Sequence, residues 1–332
     1  MKPRATIYHK LEQFGDIGTP IFLVNPHSTR AKKGLGYVGN AIKNHPFFAA
    51  AAVVATSAAI NETIKMLQDR LDTGKTHVVI PVGGDTTFNQ AAMAVEGSSH
   101  VLVAIQAGNA TNAALNLQKQ GRRILLPHEV LEQGSVKTIR PIDMRTDGSR
   151  RIAFGLSELG LMSNGAKFLN GPLRSVPGYH NDVVRNFLHE RTLLVGRSLF
   201  NRRFPLSELI EHDGEEQLEE RNVLSFAIAR LPRIGHHAFF PQVSLERDAG
   251  FAFELPSHRE LLRYTRDIQN GTLDGQVLQL GHSRAVRVGR TILGSVDGDT
   301  FPVEQGEIVS FAISSRDVNV FGLDEPPQAL AA

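Results

Sequence analysis

The chain has 332 residues, 41% hydrophobic and 21% charged, with 36 Lys and Arg against 34 Asp and Glu for a net charge of +2. That length suffices for a sizeable core and favours two domains over one, while the small net charge offers no field to single out nucleic acid as a partner. The absence of cysteine excludes disulfides, thiolate catalysis and cysteine-bound zinc. Residues 1–18 lack a secretory apolar segment, and no apolar run approaches the roughly 20 residues that span a bilayer. The expected location is therefore cytoplasmic, with peripheral contact at the inner face of a membrane left open.

In chain order, residues 20–24 form a short apolar run ended by Asn25-Pro26, and residues 50–56 form a second β-rich run. A helical pattern follows over 58–71. A third strand over 78–82 leads into a helix over 87–95, and a fourth over 101–105 leads through Gly108 into a helix over 110–117. Short apolar strands alternating with helices predict a mostly parallel sheet covered on both faces. Ligands of such sheets gather at the carboxyl ends of the strands. The turns after Val24, Val82 and Ile105 fall there.

From about residue 146 the pattern changes. Residues 151–161 read as one strand, and residues 182–200 as an amphipathic helix with Val183, Val184, Phe187 and Leu188 on one side. The acidic run 208–220 reads as a solvated loop. Short strands over 224–229, 277–280, 285–288 and 308–313 predict a C-terminal, mostly antiparallel β domain. The expected organisation is an α/β nucleotide-binding domain over 1–145, a β-rich substrate domain over 146–321, and a tail over 322–332.

Four segments carry candidate chemistry. Val82-Gly83-Gly84-Asp85-Thr86-Thr87-Phe88-Asn89-Gln90 is a strand, a paired-glycine turn, a carboxylate and a helix start. Glycines let backbone approach an anion. The helix start offers unpaired N–H groups and the positive end of its dipole, and an acid there can orient Mg²⁺ directly or through water. Asn25-Pro26-His27-Ser28 ends the first strand with hydrogen-bonding groups, and Gly108-Asn109-Ala110-Thr111-Asn112 is a second polar strand–helix junction. Ser295-Val296-Asp297-Gly298-Asp299 sets two acids at i and i+2 in a hairpin. Each also has a plain structural explanation, as a polar turn, an N-capped helix or an Asp-Gly turn.

In this order and spacing the segments resemble the diacylglycerol kinase catalytic-domain family, which includes bacterial lipid kinases and sphingosine kinases. The resemblance runs over roughly residues 20–320. It implies ATP-dependent phosphoryl transfer to the hydroxyl of a diacylglycerol-like or sphingoid lipid, with Mg²⁺ as cofactor. By that resemblance Asn25, Ser28, Gly83, Gly84, Asp85, Thr86, Thr87, Asn89, Gly108, Asn109 and Asn112 line the nucleotide site. Asp85 and Asp143 organise the metal, and Asp297, supported by Asp299, receives the hydroxyl proton. Several positions depart from the pattern. Thr86 stands where the family has glycine, Gln90 and Asp299 replace glutamates, and Asn112 replaces an aspartate. A β-branched Thr86 is costly if its position needs positive φ.

Residues 174–203, with six arginines against two acids, could line an acyl pocket or meet anionic headgroups. The partners expected are a lipid alcohol, a membrane surface and a second copy of the chain, with no nucleic acid. Two alternatives stay open: a nucleotide- or lipid-binding protein of this fold without catalysis, and an NAD-kinase-like enzyme.

Overall fold

The computed structural model describes residues 3–28, 31–71, 74–105, 112–117, 125–161, 163–164, 167, 203–212, 215–234, 238–241, 243, 248–255, 257 and 261–323. The chain divides into two compact units: residues 1–140 with 316–332, and residues 141–315.

The first unit is built on short apolar strands: β1 (Ile21–Val24), β2 (Ala52–Ala55), β3 (Val78–Val82) and β4 (Val101–Val103). Its helices are α1 (Pro3–Leu11), α2 (Ala31–Asn44), α3 (Ile60–Gln68), α4 (Asp85–Val95), α5 (Asn112–Leu117) and α6 (Pro127–Gln133). The sheet order is β2-β1-β3-β4-β20-β5, where β5 is Ser135–Ile139 and β20 is Val318–Gly322. All neighbours pair parallel except β20 and β5. Phe22, Val24, Val78, Ile80, Val101 and Val103 join residues of α1, α2 and α6 in one core. The alternate residues Ile21, Leu23, Val79 and Leu102 are buried too. A sheet buried on both faces needs unbroken apolar strands, which is why these runs do not alternate.

The second unit is antiparallel throughout. One sheet has the order β10-β9-β16-β19-β6-β7 and the other β15-β14-β11-β8-β17-β18. In the first are β6 (Ile142–Thr146), β7 (Ser149–Ala153), β9 (Phe204–His212), β10 (Glu215–Val223), β16 (Ser283–Val288) and β19 (Ile308–Ile313). In the second are β8 (Leu156–Gly160), β11 (Ser225–Ala229), β14 (Ala249–Leu255), β15 (Gln276–Gln279), β17 (Ile292–Val296) and β18 (Asp299–Val303). Met144, Leu206, Val286 and Phe311 of one sheet share a core with Leu159, Phe226, Val296 and Phe301 of the other, so the two pack as a sandwich. A short hairpin, β12 (Arg233–Ile234) with β13 (Ala238–Phe239), and a helix at Leu261–Asn270 complete the described unit.

Three expectations change. The boundary falls at residue 140 rather than 145, and residues 316–323 return to the first unit, because β20 inserts between β4 and β5. The 151–161 run is two strands, broken at Phe154-Gly155. The acidic run 208–220 is no solvated loop, since β9 and β10 pair across it in register, from Phe204↔Val223 to His212↔Glu215. Glu208 points inward and is neutralised by Arg221 and Arg284, and Arg221 also reaches Glu254 at 2.8 Å. Cross-strand cations thus take the place of water for this acid. The expected helix at 182–200 lies outside the described residues.

Candidate functional site

The carboxyl ends of β1, β2 and β3 end side by side. The Asn25 amide donates to the Val82 carbonyl at 3.0 Å, and the Thr56 amide to that of Val24 at 2.8 Å. Asn25 then folds its own turn. Its Oδ1 accepts from the His27 amide at 2.9 Å, and its carbonyl accepts from the Ser28 amide at 3.2 Å. Its Nδ2 donates to Thr87 Oγ1 at 3.4 Å, joining the Asn-Pro turn to α4. Thr56 and Ser57, at the same edge, were not singled out by sequence. Their signal is the polar break after β2, where Ser57 bonds Glu62 and Thr63 at the start of α3.

The two glycines have different reasons to be there. A Cβ on Gly83 would lie 2.1 Å from Thr87 Oγ1 and 2.7 Å from Thr87 Cβ, so Gly83 is required by contact. Gly84 has φ −91° and ψ −167°, and a Cβ there would meet nothing within 4 Å. Gly84 is the N-cap of α4 and gives its first turn no side-chain cap. A helix start facing open space through a glycine is an anion-binding arrangement. Asp85 opens the helix and is buried, and Thr87, Asn89 and Gln90 behind it are buried as well. Thr86 is the second residue of α4, and Asp297 is the residue other than glycine with positive φ among the described ones. The backbone cost expected for Thr86 therefore does not arise. The structure brings Asn25, Ser28, Gly83, Gly84, Asp85, Thr86, Thr87 and Asn89 to one sheet edge. Gly108 and Asn109 lie outside the described residues. Asn112 is the first residue of α5, its side chain outside the description.

The acids of the second unit are held differently. β17 and β18 are joined by Asp297 and Gly298, with φ 48° and 85°. Positive φ at both central residues is the type I′ pattern, so the glycine is explained by the hairpin. The Asp297 carboxylate accepts from the amides of Phe154, Gly155 and Leu156 at 2.9, 2.8 and 2.8 Å. It pins the break between β7 and β8. Asp299 is half-buried. Burial pushes its carboxyl above the usual range, and the neighbouring Arg151 guanidinium pulls it back. Arg151 in turn lies 3.8 Å over the Phe301 ring.

Asp143 is the poorer candidate for a metal ligand. Arg150 Nε donates to both of its oxygens at 3.0 Å, and Arg145 Nη2 to Oδ2 at 2.9 Å. Two guanidinium groups already neutralise this buried carboxylate, so the arrangement does not fit a divalent cation. Asp85 is a carboxylate at the start of α4 beside the paired glycines, a donor type compatible with Mg²⁺, which commonly takes one or two carboxylates and fills its remaining positions with water and phosphate. Among the described residues no group of three or more His, Asp or Glu side chains is placed to hold a metal.

One acid escaped the sequence reading. Glu158 of β8 is fully buried and accepts from Ser295 Oγ of β17. Burial pushes its carboxyl up to about 7, with Ser295 opposing and the charge of Asp297 adding to the rise.

No family model and no curated protein matches the sequence. Solved structures do match. A candidate diacylglycerol kinase from Bacillus anthracis strain Sterne superposes with a TM-score of 0.60 at 13% identity, over 92% of this chain and 99% of that one. Two further structures from the same strain, one of a candidate diacylglycerol kinase and one of a diacylglycerol kinase, give TM-scores of 0.59 at 13% identity, over 92% of this chain and 97% and 96% of theirs. The fold is therefore the one seen in those diacylglycerol kinase structures: a mostly parallel α/β unit followed by an antiparallel β unit. At this identity the likeness concerns the fold. No helix among the described residues is long and apolar enough to cross a membrane.

Proposed function

We propose that the protein is an ATP-dependent lipid kinase, transferring the γ-phosphoryl group of ATP to the hydroxyl of a diacylglycerol-like or sphingoid alcohol. The observation that carries this is the edge formed by Asn25, Gly83, Gly84 and the uncapped start of α4, a cradle suited to phosphate. The Gly84 position leaves room for the phosphates to approach the backbone, and the first-turn amides of α4 would hold them. Asn25 keeps Thr87 in place behind them. Asp85 would hold Mg²⁺, which when bound with ATP neutralises phosphate charge. Phosphoryl transfer depends mainly on such positioning and charge neutralisation. In the second unit Asp297 is the group proposed to accept the hydroxyl proton. Three backbone amides fix the position of its carboxylate, which is what a group that must meet a substrate hydroxyl needs.

The proposed setting is the cytoplasm with peripheral contact at a membrane, where a lipid alcohol would be met. The test is ATP consumption with Mg²⁺ across lipid alcohols presented in vesicles, with NAD as a competing acceptor. Turnover of a lipid alcohol that is lost in Asp85→Asn is expected. ATP binding with no turnover of any acceptor would instead favour a binding protein on this fold, and NAD phosphorylation would favour the NAD-kinase-like alternative.

A further inference from the structure

We propose that the free edge of β2 is a dimerisation surface, at which two copies of the chain join their first-unit sheets by antiparallel β2–β2 pairing across a two-fold axis. Each of the three larger sheets ends in two edge strands, and an edge offers a row of backbone N–H and C=O groups to any other chain. Folded proteins guard such edges with charge, proline or bulges. Here β5, the other edge of the first sheet, carries Lys137. In the second unit β10 carries Glu215, Glu216, Glu219, Glu220 and Arg221, β7 carries Arg150 and Arg151, and β18 carries Asp299 and Pro302. β2 has no such guard. It reads Ala52-Val53-Val54-Ala55, and residues 44–61 around it contain no Asp, Glu, Lys or Arg.

Pairing with β1 fixes the backbone directions. The Ala52 amide donates to the Pro20 carbonyl at 2.9 Å, and the Thr56 amide to that of Val24 at 2.8 Å. Successive residues of a strand turn their polar backbone groups to opposite edges, so those of Val53 and Ala55 face away from β1. The side chains along this edge are apolar too. Leu35, Val53, Met66, Val277 and Leu280 are the exposed large apolar residues among those described. The first three belong to β2 and to α2 and α3, the helices before and after it in the chain. Val53 is 50% exposed and lies beside Phe22, on the sheet face where α2 packs through Val38 and Ala41. Leu35 is one helical turn before Val38. Met66 is one turn beyond Thr63, whose Oγ1 accepts from the Ser57 amide after the end of β2.

A second copy of the same edge fits this surface. An edge without charge meets its own copy with no like-charge repulsion, and a two-fold contact is self-complementary. With Val54 at the axis, Val53 of one copy stands opposite Ala55 of the partner subunit, and each such pair exchanges both of its backbone hydrogen bonds. Opposed residues share a face, so the half-exposed valine is covered by an alanine small enough to admit it. The pairing also removes both free edges at once. β15 is the other edge strand without charge, four residues between Asp274 and His282, and it supplies the comparison for the test.

The test is the mass of the full chain by sedimentation equilibrium over a concentration series, in the wild type, Val53→Lys and Val277→Lys. The wild type and Val277→Lys should both reach twice the 36.4 kDa of one chain. Val53→Lys places a cation at a half-exposed position, and two such cations would face each other across the axis, so the dimer should weaken by roughly tenfold or more. A wild type that stays monomeric up to about 100 μM overturns the proposal. So does a dimer that survives Val53→Lys, or one that dissociates in Val277→Lys. Residue-resolved hydrogen exchange of the wild type is the second measurement. The Val53 and Ala55 amides should exchange more slowly as concentration rises, while those of Ala52 and Thr56, already bonded to the β1 side, keep one rate. Should Val53→Lys fail to fold, this measurement decides alone: exchange at Val53 and Ala55 that ignores concentration overturns the pairing.

Discussion

Glu158→Gln keeps the shape of a buried side chain and its contact with Ser295, and removes only the ability to ionise. The folded protein holds the Glu158 proton up to a pH of about 7, because burial raises the carboxyl from its ordinary 4.5, with Ser295 lowering it and Asp297 raising it. The unfolded chain releases that proton near 4.5. Between the two values the folded state binds more protons, so unfolding free energy falls as pH rises. The stabilisation is present in full below pH 4.5 and is lost as pH rises through about 7. At about 1.4 kcal/mol per pH unit the loss amounts to about 3 kcal/mol. Urea unfolding of both proteins at a series of pH values gives the assay. Glu158→Gln should gain on the wild type by about 3 kcal/mol across this interval. Asp299 and Glu254 are also raised by burial, but both proteins contain them and they cancel in the difference. A difference that stays flat between about pH 4 and 8 would refute the argument, because a carboxyl with an ordinary midpoint produces no tilt.

The paired glycines should separate fold from ligand. Gly83→Ala forces a Cβ into Thr87 and should cost about 1–3 kcal/mol in a denaturant melt, the usual range for overpacking. Gly84→Ala meets open space at ordinary φ and should melt with the wild type, yet weaken ATP binding measured by calorimetry. Asp143→Asn strips a buried partner from Arg145 and Arg150 and should lower stability by about 2 kcal/mol while leaving the Mg²⁺ dependence of ATP turnover unchanged. Asp297→Ala loses three backbone hydrogen bonds and leaves alanine at positive φ. Thermal unfolding should show about 3 kcal/mol of destabilisation, so lost turnover in this variant alone would not identify a proton acceptor.

What the sequence disclosed and what it hid follow from the distance over which each feature is decided. β3 is read at both ends because Val78–Val82 is apolar at every position and bounded by Thr76-His77 and a double glycine. The phosphate cradle is likewise local, with Gly83, Asp85 and Thr87 within one turn of chain. The return of β20 to the first unit is not legible in Val318–Gly322, which looks like any short strand. Its seat between β4 and β5 depends on partners about 180 to 220 residues away. Asp143 could have been read more sharply, since Arg145 at i+2 and Arg150 across a Thr-Asp-Gly-Ser turn predict a cross-strand ion pair. Glu158 could not. A glutamate between Ser157 and Leu159 reads as an outward-facing strand residue, and only the register that sets it opposite Ser295 makes it a buried acid. Asp297 itself is visible as the first half of an Asp-Gly turn, but a turn accounts for its backbone and not for its carboxylate. That carboxylate is held by the amides of residues 154–156, about 140 residues earlier in the chain. The burial of Glu158 therefore depends on the pairing of β8 with β17, and a shift of that register by one residue would turn Glu158 out of the core and part it from Ser295.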